Sequence, residues 1–203
     1  MTVYKKIILI LLAIVMIWSV INPAYLQDWF WEALPVFLFL PVLFLLDKHF
    51  KFSNVSFILI VLFLILSIFD AHYEVAKVPL GYLLGQWLGL VRNMYDRFVH
   101  FFFGFLCAYP LFEIYVRKTG KKDFWSYTMP FTFILALSAA YEILEWGIGI
   151  HINSFVGTSF LGAQGDVFDS PKDMAMAALG AILALSSIFF VNLIQKKFNR
   201  KLT

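Results

Sequence analysis

The chain has 203 residues, of which 62% are hydrophobic and only 14% charged, at a mean hydropathy of +0.82. A soluble domain is about a quarter charged, so this composition describes one integral membrane domain, residues 1–203, with little left over for a soluble one. The net charge of +3 does not signal nucleic acid, and the single cysteine, Cys107, excludes an intrachain disulfide. Phe, Trp and Tyr make up 19% of the chain, suited to lipid-facing surface and interfacial belts.

Lys5 and Lys6 precede an apolar run over residues 7–21 that resembles the start of a signal peptide. No A-x-A cleavage site follows, and Asn22-Pro23 breaks the helix, so the run reads as the first span. Residues 29–46 form the second, with Pro35 and Pro41 inside, and residues 55–69 the third. The connection from 74 to 94 carries Gly81, Gly85 and Gly89 at a spacing of four, which gives a helix there one smooth side. Its apolar part is too short for a hydrocarbon core of about 30 Å and predicts a short interfacial helix. Spans four to six follow at 95–116, 127–150 and 172–194, and a Gly-rich loop, 151–171, joins the last two. The predicted fold is an all-α, polytopic bundle of six transmembrane helices plus that interfacial helix.

Six spans place both termini on one side. With that side cytoplasmic, the inner segments hold 12 of the 16 Lys and Arg, and only Lys77, Arg92, Arg97 and Lys172 lie outside. This bias predicts cytoplasmic N and C termini.

On that topology the awkward residues converge. Asp70 and His72 end the third span, while Asp96, Arg97 and His100 begin the fourth. Glu142 and Glu145 lie near the end of the fifth, and Asp166, Asp169 and Asp173 lead into the sixth. All fall at the extracytoplasmic ends of their helices. Asp96–His100 and Asp169–Asp173 are spaced i, i+4 and Glu142–Glu145 i, i+3, so each pair shares a helix face. Seven carboxylates against Arg92, Arg97 and Lys172 leave four negative charges without a protein partner. A divalent metal such as zinc or manganese, retained protons, or bulk water at the helix ends could each absorb that excess. Ion pairs from Arg97 to Glu142 or Asp166 would instead lock helices together. Ionisable groups converging at one membrane depth mark a functional site by default. Glu113, four residues before Arg117, reads as a helix-end ion pair at the other surface.

Several stretches carry a family likeness. These are D-A-H-Y at 70–73, R-N-M-Y-D-R-F-V-H-F at 92–101, Y-E-I-L-E-W at 141–146 and L-G-A-Q-G-D-V-F-D-S-P-K-D-M at 161–174. They resemble the YjdF-like family of bacterial inner-membrane proteins, a domain of unknown function. The likeness runs over residues 67–184, with Ala163 and Phe168 as departures from the family's L-G-T-Q-G-D-x-W-D loop. The order Asp96, Arg97, His100, Phe101, then Glu142, then Asp169 and Asp173 is also similar to VanZ-like proteins, which implies action at the outer leaflet or cell envelope.

The expected acid–base groups are Asp96, His100, Glu142, Glu145, Asp166 and Asp173, lining one cavity that opens outward. Among them Asp96, His100, Glu142 and Asp166 are the expected metal ligands, while His72, Tyr73, Arg92, Arg97, Gln164, Asp169 and Lys172 surround them as binding residues. Besides the lipid bilayer, the implied partner is a lipid-linked or envelope substrate. A metal-dependent or acid–base enzyme, a small-solute or proton-coupled carrier, and a structural membrane protein are the three functional classes. No nucleotide loop, serine elbow or CxxC pair sharpens the choice.

Overall fold

Apolar runs interrupted by Pro, Gly and capping residues set the helices of the structure, a computed structural model that describes residues 1–151 and 163–199. Most of the expected loop 151–171 lies outside the described residues, as do Arg200 and Lys201. Helix α1, Val3–Val20, is capped by Thr2, whose side chain accepts the Lys5 N–H at 3.4 Å. It ends where Asn22 takes a left-handed φ of 54° ahead of Pro23.

The expected second span is two helices, α2 (Leu26–Glu32) and α3 (Leu34–Phe50), with the break at Ala33. Pro35 lacks the N–H that would continue the ladder and suits a first turn, where α3 starts afresh. Helix α4, Asn54–Ala71, is capped by Ser53, whose hydroxyl accepts the Ser56 N–H at 3.1 Å. A 3-10 turn, Val75–Lys77, leads to α5, Pro79–Trp87. At nine residues α5 is about 14 Å long, far short of a span. Helix α6, Tyr95–Thr119, stops at Gly120, whose φ of 70° suits glycine. Helices α7 (Phe124–His151) and α8 (Asp169–Asn199) complete the described chain, with no strand among the described residues. Counting α2 and α3 together, six helical segments are long and apolar enough to cross a membrane.

Helix α4 is the centre. Its Phe57, Val61, Leu64 and Ile68 repeat at helical spacing and are fully buried, with α1 and α3 on one side and α6 on the other. Helix α6 packs in turn on α7 and most extensively on α8. A Cβ on Gly104 would lie 1.9 Å from the Ala177 carbonyl oxygen, and one on Gly180 would lie 2.0 Å from that of Phe101. The two backbones cross so closely that only glycine fits at either point. The alternating direction of the spans brings the heads of α2, α6 and α8 and the tails of α4 and α7 to one end of the bundle.

Candidate functional site

At that end, ten carboxylates (Asp28, Glu32, Asp70, Glu74, Asp96, Glu142, Glu145, Asp166, Asp169 and Asp173) accompany four basic side chains (Lys77, Arg92, Arg97 and Lys172). The outer layer is paired. Arg97, one turn into α6, reaches Asp169 at 2.5 Å, Asp166 at 3.2 Å and Asp173 at 3.4 Å. Arg92 reaches Asp169 at 2.7 Å and Asp166 at 3.3 Å, and Lys172 reaches Asp166 at 2.6 Å. Asp169 and Asp173 stand in the first turn or so of α8, where the helix dipole favours negative charge. The Lys172 ammonium holds the Asp166 carboxyl below its ordinary value of 3.8. Gln164 fastens the same layer, accepting the Asn93 N–H at 2.9 Å and donating to the Asn93 carbonyl at 3.0 Å.

Beneath it lies a second layer with no such neutralisation. His100 Nε2 is 3.5 Å from Asp96 Oδ1 and 3.3 Å from Glu142 Oε1. One ligand atom each of Asp96, His100 and Asp173 lies within 4.8 Å of the others. Zinc, with nitrogen and oxygen ligands at about 2.0–2.2 Å, would draw them to within about 4.4 Å of one another, a small closure of the three side chains. Glu142 Oε1 and Asp173 Oδ1 are buried and accept no hydrogen bond. Their nearest partners are Arg97, 3.4 Å from Asp173 Oδ1, and His100, 3.3 Å from Glu142 Oε1, which is loose pairing for buried carboxylates.

On the other face of Asp96 and His100 is a cavity of about 60 Å³ that Glu32, Asp70, Glu145 and Tyr141 also line. Phe39, Phe63 and Phe103 form its apolar wall.

The structure therefore groups Asp96, His100, Glu142 and Asp173, and sets Glu145 across the cavity from α4. Asp166 stands apart from the expected metal ligands, held among Arg92, Arg97 and Lys172, and Asp173 takes its place beside Asp96 and His100. Arg92, Arg97, Asp169 and Lys172 form the outer ion network rather than the cavity wall. His72 and Tyr73 are not among the cavity-lining residues. His72 stacks on Trp18 at 4.3 Å and Tyr73 packs edge-on against His72 at 4.9 Å, joining the ends of α1 and α4.

Asp28 and Glu32 are absent from the expected set, yet both are buried, at 3% and 5% exposure. Their i, i+4 spacing at the head of the second apolar run is the signal that finds them, the same spacing that singles out Asp96 and His100.

The comparisons with known proteins fit this picture. Inner membrane protein YjdF of Escherichia coli (strain K12) is 33% identical over 174 residues, which cover 84% of this chain and 82% of the relative. No solved structure matches. These findings carry the YjdF-like resemblance and not the VanZ-like one. A family of predicted membrane proteins, DUF2238, matches residues 4–193, and the chain belongs to it.

Proposed function

We propose that this is a multi-pass inner-membrane protein whose Asp96, His100 and Asp173 hold a divalent metal at the extracytoplasmic end of the bundle. The metal serves an acid–base reaction on a lipid-linked or envelope substrate. The observation that carries the reading is the approach of those three ligand atoms to within 4.8 Å, with an Asp173 oxygen that accepts no hydrogen bond from the described residues. An imidazole with two carboxylates suits zinc or manganese. Such an ion would supply Lewis acidity at the site, and Glu142, 3.3 Å from His100, would be the proton acceptor beside it. The orientation rests on the lysine and arginine bias, with 12 of 16 at the opposite end.

Metal analysis of detergent-purified protein tests it. Wild type should retain about one equivalent of zinc after dialysis, and His100→Ala and Asp173→Asn should lose it. Wild type that binds no zinc would overturn the metal assignment. Incubation with an envelope lipid extract, followed by mass spectrometry, should reveal a product that disappears with His100→Ala.

A small-solute or proton-coupled carrier is the second reading, favoured by the carboxylate-lined cavity. Proton flux in proteoliposomes, reduced by Glu145→Gln while metal content is unchanged, would select it.

A further inference from the structure

We infer that the cavity between α2, α4, α6 and α7 is a second cation site, which takes a hard divalent ion on oxygen ligands alone. Its ligands are Glu32, Asp70 and Glu145, with Asp96 on the wall that it shares with the histidine site. It shares Asp96 with the histidine site but needs neither zinc nor His100, and Glu32 and Asp70 belong to it alone, so the two readings can be tested apart.

The lining is one-sided. Four carboxylates face the cavity and no Lys or Arg does. Of the few hydroxyls there, that of Ser67 is already donated to the Phe63 carbonyl at 3.1 Å. Glu32 Oε2 and Asp70 Oδ1 are buried with no hydrogen-bond partner, in residues 5% and 8% exposed. Glu32 is fixed nonetheless, because its other oxygen accepts the Val75 N–H at 2.9 Å. A carboxylate anchored through one oxygen and bare at the other is oriented as a ligand.

Size narrows the occupant. A volume of 60 Å³ holds on the order of four waters, enough for an ion that keeps part of its hydration shell. An all-oxygen donor set selects magnesium, calcium or manganese, whereas the imidazole site suits zinc.

Titration of metal-free, full-length protein in detergent with Mn²⁺, followed by loss of the free-ion magnetic resonance signal, tests the inference. With the histidine site blocked by one equivalent of zinc, wild type should take up one equivalent of manganese. The Glu32→Gln/Asp70→Asn double variant should take up none. Without zinc, His100→Ala should still bind one equivalent. If wild type fails to bind zinc yet binds manganese that the double variant loses, the second site is upheld and the histidine site is not. Uptake that the double variant leaves unchanged, or no uptake by zinc-blocked wild type, would overturn the inference. A melting curve reports whether the double variant folds. Should it not, a weakening of manganese affinity by tenfold or more in Asp70→Asn alone supports the site, and unchanged affinity refutes it.

Discussion

The two ends of the bundle treat buried carboxylates in opposite ways. At the basic end, Glu113 is buried, and each of its oxygens is occupied. It accepts the Ser53 N–H at 3.0 Å and the Ser53 hydroxyl at 2.8 Å, with further donors from the Ser56 hydroxyl and from Arg117 at 2.7 Å. Asp47 there is held by Lys5 at 2.6 Å, and Lys5 also donates to the Phe52 carbonyl. At the acidic end, Asp28, Glu32, Asp70, Glu142 and Asp173 each keep a buried oxygen with no hydrogen bond. A carboxylate whose donors are supplied by the chain is an element of architecture. One with an oxygen that accepts no hydrogen bond from the described residues is not held by the chain in that way.

Four substitutions and one condition sharpen or break that contrast. Arg97→Ala should have the largest effect, about 3–5 kcal/mol, because it removes the nearest cation from both Asp169 and Asp173. His100→Ala should leave the melting temperature near that of wild type, and the reverse order would exchange scaffold and site. Glu113→Ala should cost about 2–3 kcal/mol by thermal melting in detergent, since it strips partners from Ser53, Ser56 and Arg117. Asp70→Asn should go the other way and stabilise metal-free protein by about 1 kcal/mol, by relieving repulsion among cavity acids. Destabilisation comparable to Glu113→Ala would show that Asp70 is architecture after all.

The smallest effect concerns acid. The folded-state pKa of Asp166 is depressed by its Lys172 partner, so its stabilisation is complete above the ordinary value of 3.8 and is lost as pH falls below it. Hydrogen exchange across residues 163–172 should quicken in that window with the bundle intact. An unchanged rate would show that the outer network does not depend on this pair.

Much of this was legible from sequence for a simple physical reason. A bilayer demands long apolar runs, so the six spans and the short α5 follow from length alone. Paired spacings within helices located Asp96 with His100, because periodicity survives into three dimensions. Pro35 was harder to read. A proline inside an apolar run can be absorbed, as Pro41 is, or can restart the helix, and only the neighbouring turn decides. A second span taken to begin at Trp29 also leaves Asp28 outside and hides its pairing with Glu32. Asp166 illustrates the opposite limit. It stands in a loop with no periodicity, so its spacing from Asp169 did not reveal that three cations hold it on the rim.

The close crossing of α6 and α8 has a mechanical consequence. Gly104 lies one turn below His100 and Gly180 two turns below Asp173, and the ion network clamps the same helices above. Two fastenings on either side of Asp96, His100 and Asp173 set the register of these helices at the site. Helix α7 carries Glu142 and Glu145, and only 17% of its apolar window is buried, against 44% for α6. Helix α7 therefore brings its two glutamates to the site on a helix packed less extensively than the α6–α8 pair.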